Sequence, residues 1–139
     1  MATISVTAGQ VALCFPDKAE VITLLAGAAL TAGQAVYQDA NGKAGVADAN
    51  ASGAQQFRGI ALQTVGAGQA VDILIRGHVY GFAITGMNAD AVAYLSDTAG
   101  YLDTANGTMT VNCGRVTCLA DATPTKVLYI CADWLRTWT

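Results

Sequence analysis

The stretch from Phe57 to Ile84, FRGIALQTVGAGQAVDILIRGHVYGFAI, limits what this chain can fold into more than any other. Short runs of β-branched and aromatic residues are broken by glycines, a spacing that suits strands and leaves no room for helices. Phe57 to Thr64 reads as one strand and Gly66 to Gly68 as a loose turn. Ala70 to Ile75 reads as a second strand, with Val71, Ile73 and Ile75 on one face because strand side chains alternate. Gly77-His78 reads as a tight turn, since glycine at the first central position suits a type II′ hairpin. Val79 to Ile84 then returns as a third strand.

The same grammar extends outward from this centre. Thr3 to Val6, Val11 to Phe15 and Glu20 to Leu25 read as short strands, with Pro16-Asp17 as a turn. Leu30 to Asn50 reads as a hairpin about Asn41-Gly42, with Val36 and Gln38 on one face and Tyr37 and Asp39 on the other; the Asn-Gly pair favours type I′. Asp48 to Gln56 is the best candidate for a helical turn, capped by Asp48 or Asn50 and kept short by Gly53. Further strands are expected at Ala89 to Leu95, Tyr101-Leu102, Met109 to Val111 (after a second Asn-Gly pair, Asn106-Gly107), Gly114 to Ala120 and Lys126 to Ala132. Turn signals every eight to twelve residues or so predict an all-β fold. The expected form is a compact β-barrel or β-sandwich of short antiparallel strands, with at most one short helix. The AGQAV of residues 32–36 recurs at 67–71, which similar turns explain better than a true duplication.

At 139 residues the chain is expected to be a single domain, with 1–29 as an N-terminal arm and first strands and 30–139 as the β domain. Its first dozen residues could order only against a partner. Charged residues make up 12% of the chain, about half the usual share, so a bare surface would be apolar enough to favour self-association. The seven basic residues are scattered, which argues against nucleic-acid binding. No apolar run is long enough for a membrane helix, and the start of the chain lacks a charged and then apolar leader. Cys14, Cys113, Cys118 and Cys131 fit neither a zinc ribbon nor a CxxC pair, so free, buried thiols are expected.

Signs of chemistry are sparse. The one histidine, His78, sits in the expected turn, and none of Ser5, Ser52 or Ser96 lies in a nucleophile elbow. Asp97 and Asp103 could approach across their hairpin and hold calcium weakly, although solvated turn carboxylates are the simpler reading. Gly42-Lys43 is followed by Ala44, so no phosphate-binding P-loop exists. No catalytic, cofactor or metal residues are assigned. Trp134 and Trp138, with Leu135 between them, are either core closure or a self-association anchor.

The segments LTAGQAVYQDANGKAGVADAN, FRGIALQTVGAGQAVDILIRGHV, AVAYLSDTAGYL and GRVTCLADATPTKVLYI together resemble the small capsid decoration, or cement, proteins of tailed bacteriophages. The resemblance covers residues 30 to 132 and rests on turn-and-strand patterns; Ala93 stands where that pattern commonly has Val. It implies a homotrimer over three-fold junctions of the major capsid protein, stabilising the expanded shell from its outer surface. It implies no enzyme activity and no cofactor. The protein would be made in the host bacterial cytoplasm and end on the virion. An arm carrying Ile4, Val6, Val11 and Phe15 would be the capsid contact. The rival reading is a phage fibre or tail module, or a carbohydrate-binding β module with a platform drawn from Tyr37, Tyr80, Tyr94 and Tyr101.

Overall fold

The computed structural model describes residues 2–139. The chain forms ten strands: β1 (Ala12–Leu13), β2 (Glu20–Leu25), β3 (Ala35–Gln38), β4 (Ala44–Val46), β5 (Gly59–Ala61), β6 (Ala70–Tyr80), β7 (Val92–Leu95), β8 (Leu102–Asp103), β9 (Asn112–Cys118) and β10 (Lys126–Cys131). Among the described residues there is no α-helix, only single 3-10 turns at Ala8–Gln10 and Pro16–Lys18. The all-β expectation holds. All strands join one antiparallel, strongly curled sheet in the order β4-β3-β5-β6-β10-β9-β7-β8, with β1 and β2 also paired to β6.

The eleven residues of β6 are the axis of the molecule. Its first half is flanked by β2 and β5, its second half by β1 and β10. This corrects the hairpin expected at Gly77-His78. The chain runs straight through, with Gly77 opposite Ile130 and His78 opposite Tyr129. The glycine is needed for a different reason. Its φ of 149° is unfavourable for other residues, and a Cβ there would sit 3.0 Å from the Ala19 Cβ and 3.1 Å from Leu74 Cδ1. Gly77 therefore marks a joint between two strand halves. Next to it the register with β2 shifts, so that Arg76 faces Glu20 while Leu74 faces Val21.

The shift also changes which side chains share a core. Val71 and Ile73 pack in a small cluster with Ala26, Leu30, Val36, Ala44 and Ala61. Leu74, Ile75 and Val79 join the main core with Phe57, Ile60, Leu95, Leu128, Ile130 and Trp138. Val71, Ile73 and Ile75 are thus not on one continuous face. Around the first half of β6, strands β3 and β5 are covered on both sides: Ala35 and Ile60 face the main core, Val36 and Ala61 the smaller one.

Two loops differ from expectation for local reasons. The Asn41-Gly42 hairpin exists, but its turn is not type I′. Gly42 alone takes positive φ (81°), and Asp39 N–H donates to the Lys43 carbonyl, leaving a three-residue loop. The Asp39 carboxylate accepts from the Asn41 and Lys43 amides and so fixes this form. Asp48 to Gln56 is a loop rather than a helical turn. Asp48 accepts from the Asn50 amide, Gln55 from the Gly53 amide, and Asp48 N–H reaches back to the Ala54 carbonyl. Those side-chain bonds compete with helix formation and win. Asn106-Gly107 precedes β9 but does not join two paired strands, because β8 pairs with β7 and β9 with β7 and β10.

Candidate functional site

Beyond Gly77 the side of the sheet that carries His78 is only partly covered, with Arg115 exposed and His78 and Tyr129 half-buried. Cross-strand pairing places His78 opposite Tyr129, Tyr129 opposite Arg115, and Arg115 opposite Val92. Directly opposed strand residues share a face, so these side chains form one row across four strands. Phe15 extends the row, its ring meeting His78 edge-on at 5.1 Å, and the His78 and Tyr129 rings are 5.0 Å apart. A groove of about 620 Å3 runs beside the row, lined by His78, Tyr129, Arg115, Asp90, Thr117 and Cys118 among others. A second hollow of about 300 Å3 adjoins it and shares Tyr129 and Arg115, with Asn112 and Cys131 on its far side.

Asp90 organises the groove's rim. Among the described residues it is the one non-glycine with positive φ (71°), a conformation that Asp adopts more readily than most side chains and that two contacts fix here. Its N–H bonds to the Val116 carbonyl at 2.7 Å, and its carbonyl accepts from the Arg115 guanidinium at 2.7 Å. The Asp90 carboxylate lies 3.6 Å from the same guanidinium, both side chains being more than half exposed. Burial and the nearby Lys18 ammonium lower the pKa of His78, which favours its neutral form. Its aromatic neighbours cannot orient and charge it as a carboxylate orients a catalytic imidazole. The arrangement can bind through aromatic faces and a mixed donor–acceptor rim.

The candidate arm of the sequence reading is folded onto its own chain, which corrects the expectation of a segment ordered only by a partner. Ile4 is buried in the main core and its N–H donates to the Leu102 carbonyl. Val6 bridges to Phe82, and Val11 packs against the core. Leu13 pairs with Val79. Of the four arm residues only Phe15 is counted among the exposed large side chains. The segment finds its hydrogen-bond partners along the continuation of β6 and on β8, which is why it is not free.

The tryptophan tail divides between the two alternatives. Trp138 is buried in the main core, and its backbone is clasped by Gln55 and Gln56. Trp134 is half-buried, its indole N–H donating 2.9 Å to the Arg58 carbonyl. Leu135 is 99% exposed and stands as the apolar tip of the tail. Tyr37, Tyr80, Tyr94 and Tyr101 do not line the groove; the aromatic platform is Tyr129. Nothing in the sequence singled out Tyr129, because its partners come from strands far apart in the chain.

Asp97 and Asp103 do not converge on a cation. Asp97 accepts from the Thr108 amide and hydroxyl, and buried Asp103 from Ser96 and the Ala2 and Ala105 amides. No metal-binding cluster of His, Cys, Asp or Glu occurs among the described residues. The four thiols are unbridged, but only Cys113 is fully buried, and Cys118 and Cys131 are exposed. Burial pushes the Cys113 thiol well above its usual pKa, which makes it inert at neutral pH.

One edge of the sheet is open. Residues 20–25 pair with β6 on one side, and their other edge makes no backbone hydrogen bond among the described residues. Val21 and Leu25 are exposed along it, and Glu20 is its one charge. No helix among the described residues is long and apolar enough to cross a membrane. Searches against family models, characterised proteins and solved structures found no match to this chain.

Proposed function

We propose that this chain is a non-enzymatic structural protein that binds the outer surface of a phage capsid, as a homotrimer over three-fold junctions of the major capsid protein, and stabilises the expanded shell. The observation that carries the reading is the bare edge of β2. Natural sheets blunt such edges with charges, proline, bulges or a covering segment, and β2 has a charge and a register shift only at its first residue, Glu20. From Val21 to Leu25, VITLL, none of these occurs. An edge of this kind is matched by a neighbouring strand, which satisfies its backbone groups with little demand on sequence. The turn-and-strand likeness to cement proteins and the 12% charge content support the same reading.

With the N-terminal segment occupied inside the fold, the edge of β2 takes over the contact role expected of the arm. Many identical contacts on one lattice act at high effective concentration, so each need be only modest. A ligand that binds the assembled shell and not its loosened form stabilises the shell by mass action. The test is DNA retention by expanded phage shells, bare and decorated, under heating. Decorated shells should hold their DNA to a higher temperature. Val21→Lys with Leu25→Lys should abolish the gain while leaving the protein folded. Equal release temperatures for bare and decorated shells overturn the function, and light scattering that finds only a 14.2 kDa species overturns the trimer.

A further inference from the structure

We infer that the groove beside Tyr129 is a binding site for a neutral oligosaccharide, independent of any capsid contact. Its two connected hollows, about 620 and 300 Å3, lie within the range of small-ligand clefts. They are separated by the Tyr129–Arg115 pair, which lines both. A chain of sugar rings can therefore lie across Tyr129 with one part in each hollow. The ring face carries partial negative charge and suits the polarised C–H face of a pyranose.

The rim supplies what hydroxyl groups need. Arg115 offers donors, the Asp90 carboxylate offers acceptors, and Asn112 and Thr117 offer both. A hydroxyl is itself donor and acceptor, so it pairs with such a mixed rim where an anion or a cation would not. The charged pair lining the groove is matched, and the nearby ammonium groups are engaged elsewhere. Arg115 is matched by Asp90 at 3.6 Å. Lys126 points its ammonium to the Thr85 carbonyl at 3.1 Å, and Lys18 sits over the Phe15 ring at 5.6 Å. Burial and Lys18 lower the pKa of His78, which favours its neutral form. Among the groove's lining residues Arg115 is the one cation and Asp90 the one carboxylate, so neither an anion nor a metal ion finds a cluster of opposite charge there, and the charged Lys18 and Lys126 stand outside the lining.

The backbone at Asp90 points the same way. Its left-handed conformation is held only by Val116 and Arg115, both of which line the groove. Strain of this kind gathers at ligand clamps, where it fixes a side chain in advance of binding. Here it brings the Asp90 carbonyl to Arg115 and so sets the guanidinium beside Tyr129.

The test is an amide chemical-shift titration of the whole chain with cellotetraose, maltotetraose, mannotetraose and chitotetraose, set against a heparin tetrasaccharide and inorganic phosphate. At least one neutral tetrasaccharide should move the amides of His78, Arg115, Thr117 and Tyr129 with a millimolar or tighter Kd. Tyr129→Ala should weaken that binding at least about tenfold. If that variant does not fold, Arg115→Met, at an exposed position, should give a loss of similar size. Three results overturn the site: no shift with any neutral tetrasaccharide, shifts only with heparin or phosphate, or unchanged affinity in the folded variants. Failure of the shell experiment would leave this result untouched, and the reverse also holds.

Discussion

The two halves of β6 are one strand with two uses. In the first half, residues 73–75 are buried in succession, Ile73 in one core and Leu74 and Ile75 in the other, while Ala70 is exposed and Asp72 half-buried where the strand begins. Residues 76–80 are buried on one side through Gly77 and Val79, while Arg76 and Tyr80 are exposed and His78 lines an open groove. A strand covered on both faces can only be a wall. A strand covered on one face has its alternate side chains free for recognition. The change from one to the other falls at Gly77, where the conformation and the approach of Ala19 exclude a side chain.

The contrast predicts unequal sensitivity along one strand. Ile73→Ala removes a fully buried side chain between tightly packed neighbours and should destabilise the fold by about 2–5 kcal/mol. His78→Ala, on the open face, should stay within about 1 kcal/mol. Chemical denaturation of the two variants compares them directly, and equal losses would mean that the two halves are not distinct. Gly77→Val comes next in size. It forces a β-branched residue to φ 149° with its Cβ against Ala19, and should destabilise by about 2–3 kcal/mol. A variant as stable as the parent would remove Gly77 as the joint.

The strands were largely legible in the sequence, and the way they come together around the groove was not. Glu20 to Leu25 was readable as a strand with the bounds it has, because its apolar run ends in a glycine-rich break. Gly114 to Ala120 and Lys126 to Ala132 were readable as strands close to β9 and β10, and in the loop between them the Asp121 carboxylate accepts from the Thr125 amide and hydroxyl. Gly77-His78 misled because local turn chemistry cannot report on the partner strands that hold β6 straight. Those partners, β1 and β10, lie more than sixty and almost fifty residues away in the chain. The groove was hidden for the same reason. Tyr129, Arg115, Asp90 and His78 come from separate segments, and only the register of four strands brings them together. The N-terminal arm was misplaced because backbone pairing to β6 and β8 leaves no trace in composition.

A smaller effect of the opposite sign belongs to the groove. Asp90→Gly relieves the left-handed conformation at an exposed site and should stabilise the fold by up to about 1 kcal/mol. The same change removes the carboxylate facing Arg115, so stability and saccharide binding should move in opposite directions. Thermal melting and the oligosaccharide titration on one sample of the variant make the comparison. If stability falls, Asp90 is held by contacts stronger than the strain, and its place as a clamp is lost.

The smallest effect separates the two halves by acid. In the recognition half, burial and the Lys18 ammonium lower the pKa of His78 from its usual 6.5. The unfolded chain then takes up the proton first. Stability is full above about pH 6.5 and is lost as the pH falls through that value toward the lower folded pKa. In the wall half, hydrogen bonds from Thr23 and Gln63 lower the pKa of the Asp72 carboxyl from 3.8. Its contribution is full above about pH 4 and is lost only as the pH falls through the folded value. Asp121 also titrates low, held by Thr125, so the acid window is not Asp72's alone. Melting temperature measured from pH 8 to pH 3 should therefore fall in two steps. His78→Gln should flatten the upper step and leave the lower one, while Asp72→Asn should lower stability at neutral pH and shrink only the lower step. Both side chains are largely solvated, so each step should be shallow. An upper step that survives His78→Gln would belong to another group, whereas a single transition would show that the imidazole is solvated as fully in the native chain as in the unfolded one. The row from Phe15 to Arg115 would then be too loose to form a binding face.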